Sequence, residues 1–192
     1  MFEKERFIED CRAALAEHAP QDVIRELVER AVREPAGIVR ALGAPTRSGV
    51  EMLYHAPDLT ILNLSWGPLM QVRPHNHHMW AIIGIYGGCE QNTFFRRNGQ
   101  GLNRHGTREL GSGEAVRLGP DAIHAVKNPL DSITSAIHVY LGDFFTMQRS
   151  EWHPTTLVEA PYDMKLTMLE FEQVNHRLRA SSSRPYVNSP NE

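Results

Sequence analysis

Cysteine is scarce in this chain: among 192 residues only Cys11 and Cys89 occur, far apart and in no C-x-x-C pair. That excludes a disulfide framework and a zinc ribbon. Long apolar runs are missing too. No stretch approaches the roughly 18 apolar residues of a membrane span, so none is expected. Charge of one sign is also lacking. The net charge is -3, Lys and Arg are scattered, and no basic run interleaves with aromatics, which leaves no electrostatic case for nucleic acid. The opening MFEKERFIEDCRAALAEH is charged and periodic, without the apolar stretch of a signal peptide, so the expected compartment is the cytoplasm. A hydrophobic content of 41% and a charged content of 22% suit one globular domain with a real core.

What is present begins with helix. Phe7, Ile8, Cys11, Ala14 and Leu15 recur at spacings of three and four, which predicts an amphipathic helix over 2–18. Gln21–Glu34 repeats the pattern with Val23, Ile24, Leu27, Val28, Ala31 and Val32, with Pro20 at its start and EPAG at its end. This N-terminal helical pair, within residues 1–49, is expected to pack on the outside of the β-rich region that begins at Val50. Residues 38–49 read as a connector.

From Val50 the texture changes to short β-like runs broken by turn residues. Strands are expected at Glu51–His55, Leu59–Trp66, Met79–Tyr86, Glu90–Arg96, Thr107–Leu110, Ala115–Leu118, His124–Lys127 and Ser132–Leu141. About eight short strands with glycine-rich turns predict a closed barrel or jelly roll over 50–145. The remainder, 146–192, reads as an extension with a helix at Met164–Arg179 and a disordered tail, ASSSRPYVNSPNE.

Histidine is mildly enriched, ten in all, and its placement carries the functional reading. In VRPHNHHMWAIIGIYGGCE, residues 72–90, His75 and His77 stand two apart beside an apolar run. Residues i and i+2 of a strand share a face, so both imidazoles can grip one ion. A second stretch, GEAVRLGPDAIHAVKN at 113–128, offers His124. His78 alternates to the other side and reads as structural; His105 and His153 read as surface loop residues. Cys89 reads as a small buried hydrophobe, and Trp66 and Trp80 as core or cavity wall.

These two stretches resemble the paired motifs of the cupin superfamily, which implies a mainly β double-stranded β-helix, a jelly-roll barrel. Gly113, Pro120, His124 and Asn128 match the second motif; His75, His77 and the glycine pair match the first. Trp80 and Ala81 stand where a cupin usually has its ligating glutamate. A three-histidine site without that carboxylate resembles the cysteine dioxygenase-like family of thiol dioxygenases. Ser65-Trp66-Gly67, Pro74, Trp80 and the sequence SAIHVY at 135–140 agree with it.

The resemblance implies an oxidoreductase that uses iron(II), or another divalent transition metal, held by His75, His77 and His124. It makes His138 and Tyr140 the outer-sphere catalytic pair and a small thiol and O2 the substrates. It also allows a homodimer. Three neutral imidazoles leave an ion its full charge and open positions, whereas zinc would bind but could not do redox work.

The departures are specific. Ala136 replaces the family's serine two before the outer histidine, and Ala81 and Ile82 leave no cysteine for a tyrosine crosslink. The segment Leu53-Tyr54-His55-Ala56 lacks the arginine that grips a substrate carboxylate, leaving Arg73, Arg96 and Arg117 as candidates. Two alternatives stay open: another cupin metalloenzyme, such as a carbon-carbon-cleaving dioxygenase or an isomerase, and a non-catalytic metal- or ligand-binding cupin. No helix-turn-helix signature supports a DNA-linked sensor.

Overall fold

The computed structural model describes residues 2–99 and 101–182. Three helices come first: α1 (Lys4–Ala14), α2 (Pro20–Val32) and α3 (Pro35–Leu42). The third occupies part of the expected connector. Pro35 does not merely end α2; it sits at the first turn of α3, where a missing N–H costs nothing and the fixed φ favours a helix.

Eleven strands come next: β1 (Gly49–Ala56), β2 (Leu59–Trp66), β3 (Gln71–Asn76), β4 (Ala81–Gly87), β5 (Cys89–Asn98), β6 (Gly101–Gly111), β7 (Ala115–Leu118), β8 (Ile123–Lys127), β9 (Thr134–Tyr140), β10 (Ser150–Trp152) and β11 (Glu159–Pro161), then α4 (Met164–Ser182). They form a five-stranded sheet, β1-β2-β9-β4-β7, and a six-stranded sheet, β11-β10-β3-β8-β5-β6. Every pairing is antiparallel. The central eight strands, β2 to β9, interleave as two four-stranded faces, β2-β9-β4-β7 and β3-β8-β5-β6. That strand order is the jelly roll, or double-stranded β-helix, expected from the sequence.

Alternation along the strands builds two cores. Leu62 and Leu64 of β2, Ile83 and Ile85 of β4 and Ala136 of β9 face the barrel interior. Their neighbours Ile61, Ile82, Ile137 and Val139 face outward, onto Ile24, Val28 and Val32 of α2. Strands covered on both faces carry apolar residues at both alternating sets of positions, which is why β2, β4 and β9 are visible in the sequence. The helix lies very close to the sheet: a Cβ on Gly84 would stand 2.3 Å from Val28 Cγ1. Only glycine admits that approach.

Strand β3 is absent from the expected elements, and the histidine pair closes it rather than opening the next strand: His75 lies on β3, and His77 one residue past its end. β6 is longer than expected, so His105 is an exposed strand residue and not a loop residue. β10 and β11 widen the second sheet beyond the barrel. The expected tail begins within α4, at Ala180; from residue 183 it lies outside the described residues. Among the described residues no helix is long and apolar enough to cross a membrane.

Candidate metal centre

β3 and β8 pair so that His75 and His124 are direct cross-strand partners. Side chains so paired share a face. A register shift between Val72 and His75 takes up Pro74, which has no N–H for the ladder. Beyond the strand, His78 adopts a positive φ of 54° and turns its ring to solvent, while His77 stays inside. The amide of Asn76 fixes this turn by donating to His78 Nε2 at 3.1 Å and accepting from the Ser150 backbone N–H at 2.8 Å.

The three imidazoles converge. One ring nitrogen of each of His75, His77 and His124 lies within 4.8 Å of the others, and all three residues are buried. His77 Nε2 and His124 Nε2 are 3.0 Å apart, the separation subtended by two bonds of about 2.1 Å at a right angle. Two of the three are held from behind: His75 Nδ1 donates to the Arg73 carbonyl at 2.9 Å and His124 Nδ1 to Asn92 Oδ1 at 2.7 Å. That leaves each Nε2 as a lone pair, the arrangement metal-bound histidines adopt. Burial pushes the His75 pKa down to about 4, and His77 and His124 well below the ordinary value, with the neighbouring histidines adding to it. The donor set is therefore neutral at pH 7, and it fits a divalent transition metal.

His138 and Tyr140, on β9, enter the same cavity. The Tyr140 hydroxyl donates to His138 Nδ1 at 3.0 Å, and its ring lies 5.1 Å from that of His77. Burial raises the Tyr140 pKa, so the phenol keeps its proton. The cavity measures about 230 Å³ and is mainly apolar, walled by Leu62, Leu64, Val72 and Val126 and closed by Met168 and Phe171 of α4. Trp66 is a cavity wall stacked on Phe171 with ring centroids 5.4 Å apart. Trp80 lies outside the cavity under the Arg117 guanidinium, 5.1 Å from the ring centre. Cys89 is half-buried, its thiol pKa raised by burial.

None of the three candidate arginines lines this cavity. Arg73 is paired with Glu151 and Glu170, Arg117 with Asp22 beside α2, and Arg96 is exposed on β5. Sequence reasoning missed the arginine that is near. Arg149 is buried, its guanidinium 3.9 Å from the centre of the Phe144 ring and 4.0 Å from that of Tyr162. Its Nη1 stands 3.4 Å from His77 Nδ1, and among the described residues it has no carboxylate partner. Burial lowers its pKa, as befits a cation without a counter-ion. Nothing in M-Q-R-S-E-W marks it in advance.

Two further residues were missed. Glu90 and Asn92, alternating on β5, are fully buried and stand behind His138 and His124. Cys89 separates Glu90 from the glycine pair and β5 is largely polar, so nothing in the sequence marks either residue.

No known protein-family model matches the chain. Solved structures that it resembles include a conserved protein of Klebsiella pneumoniae with a double-stranded β-helix domain (11% identity, 62% of this chain and 88% of that one, TM-score 0.41). A cupin superfamily protein of Desulfitobacterium hafniense DCB-2 is 14% identical over 55% of this chain and 88% of its own, with a TM-score of 0.44. The DMSP lyase DddQ of Ruegeria pomeroyi DSS-3 is 20% identical over 57% of this chain and 53% of its own, also at 0.44. These likenesses are partial; the double-stranded β-helix assignment rests on the strand order itself.

Proposed function

We propose that the chain is a cupin metalloenzyme of the thiol dioxygenase type, oxidising a small thiol to its sulfinate with O2. The observation that carries this reading is the buried triad of His75, His77 and His124 with the Tyr140–His138 pair beside it. In the overall reaction R–SH and O2 give R–SO2H, the sulfur losing four electrons and both oxygen atoms ending on it. Iron(II) held by the three histidines would supply the redox-active centre with open positions that this chemistry needs.

The chain's own residues supply the rest. The apolar walls exclude water and take the hydrocarbon part of the substrate. Tyr140 is a neutral phenol whose proton is committed to His138, so its oxygen presents lone pairs to a group bound beside His77. Arg149, a buried cation with no carboxylate partner among the described residues, lies against two rings that line the cavity, Phe144 and Tyr162, and would hold a carboxylate there. Among the described residues no Asp or Glu lines the cavity. An ammonium would lose its water there without a partner, which costs affinity. The favoured substrate is therefore a thiol carboxylic acid without an amino group, and cysteine is disfavoured.

The test is oxygen uptake by the anaerobically iron(II)-loaded protein with 3-mercaptopropionate, cysteamine and cysteine offered in turn. Uptake with 3-mercaptopropionate, matched by its sulfinate and abolished by His124→Ala, is the expected result. Protein that holds one iron per chain and consumes no oxygen with any thiol would overturn it and favour carbon-centred cupin chemistry.

A further inference from the structure

The carboxylate of Glu90 is fully buried, facing His138 on one side and Asn92, the partner of His124, on the other. Its Oε2 accepts from Trp66 Nε1 at 2.7 Å and its Oε1 from Asn92 Nδ2 at 2.9 Å. His138 Nε2 points at Oε2 from 3.6 Å and has no other partner. Among the described residues no Lys or Arg pairs with it. Burial alone would raise its pKa; the contacts with His138, Asn92 and Trp66 outweigh that and hold it below the ordinary value. Glu90 is a buried anion whose partners are all N–H groups.

The choice of donors and acceptors fixes both sides. Asn92 must turn its NH2 toward Glu90, so its Oδ1 faces His124 and can only accept. That places the His124 proton on Nδ1 and the lone pair on Nε2, toward His77 and His75. On the other side, His138 keeps its proton on Nε2, facing the carboxylate, so Nδ1 is free to accept the Tyr140 hydroxyl. We infer that Glu90 is a positioning residue that sets the tautomers of His124 and His138 together, fixing one metal ligand and the Tyr140 hydroxyl from a single buried charge.

The role requires an acceptor-only group. A glutamine at this position brings two N–H bonds of its own, and one of them must meet Asn92 Nδ2 or Trp66 Nε1. The cheapest relief is to turn Asn92 over. Its NH2 then faces His124 Nδ1, which must accept, and the proton moves to Nε2, the atom the metal needs. His75 is untouched, because its Nδ1 is anchored on the Arg73 carbonyl. It serves as an internal control.

The experiment compares wild type, Glu90→Gln and Asn92→Leu as metal-free protein with ¹⁵N-labelled histidine. Long-range proton–nitrogen spectra read each tautomer, with His124→Gln and His138→Gln providing assignments. Zinc(II) affinity is measured on the same samples by chelator competition. Wild type should show His124 protonated on Nδ1 and His138 on Nε2. Glu90→Gln should move His124 toward the Nε2-protonated form, leave His75 unchanged, and weaken zinc binding about 10- to 100-fold. Asn92→Leu should weaken zinc binding alike while leaving the His138 signals in place.

Unchanged tautomers in a folded Glu90→Gln protein overturn the inference. If that variant does not fold, undiminished zinc affinity in Asn92→Leu overturns it instead. The zinc measurements rest on the metal reading of the proposed function and the tautomers do not. Wild-type protein with the stated tautomers that takes up no zinc therefore sinks the metal site alone.

Discussion

The Arg149 guanidinium stands 3.4 Å from Nδ1 of His77, on the far side of the ring from the nitrogen that faces His124. A cation without a counter-ion thus stands one residue behind the candidate metal. Replacing it should cost affinity for an anionic substrate and little else. Arg149→Ala is expected to raise KM for 3-mercaptopropionate about 10- to 100-fold, the worth of one charge-assisted contact. The KM for cysteamine, which has no carboxylate, should move far less. Equal losses for the two thiols in steady-state oxygen uptake would remove the anion-binding role.

The ligand set predicts a stability effect as well as an activity. A metal at a hundred times its Kd stabilises the native state by about 2.7 kcal/mol. For a chain of this size that is about 5–10 °C in Tm. Wild type should therefore melt higher with iron(II) or zinc(II) than with chelator. His75→Ala and His124→Ala should melt at the same temperature in both and carry little metal by elemental analysis.

Acid should weaken the metal-free protein in a defined window. The native state holds His75 at about 4, while the unfolded chain protonates it near the ordinary value of about 6.5. Between these values the unfolded state binds a proton that the native state refuses. Stability then falls as pH drops, by about 1.4 kcal/mol per pH unit for such a group, and His75 adds no further slope below about 4. His77 and His124 act in the same direction. Urea unfolding from pH about 7 to about 5 should show the loss, and His75→Gln should flatten it. A pH-independent midpoint would contradict the burial of the triad.

The contact between α2 and the barrel gives a test remote from the chemistry. A Cβ on Gly84 would also meet Val32 Cγ1, at 2.8 Å. Gly84→Ala should destabilise by about 1–3 kcal/mol through overpacking. Adding Val28→Ala, which removes the nearer methyl group, should recover part of that. A neutral Gly84→Ala in urea unfolding would mean that the helix does not lie against β4.

Much of this fold is legible in the sequence because short apolar-rich or alternating runs are bounded by turn residues. β2, Leu59–Trp66, and β7, Ala115–Leu118, fall where the pattern places them. β3 is hidden because Pro74 and His75 interrupt it, and its pairing comes from β8 rather than from its own composition. α3 is hidden because Pro35 reads equally as a stop and as a first-turn residue. The three imidazoles stand out by spacing. Glu90 and Arg149 do not, since a buried charge and a solvated one look alike until their neighbours are known. Arg149 reaches His77 only through the 142–150 segment that returns to pair β10 with β3.

The direct opposition of His75 and His124 would also make a bound ion an inspector of assembly. A one-residue slip of β3 against β8 would send one imidazole through to the other face of the sheet, where it could share nothing with its partner. Chains closed in the wrong register would then be unable to retain metal, and metal supply would draw the population toward the one closure that can.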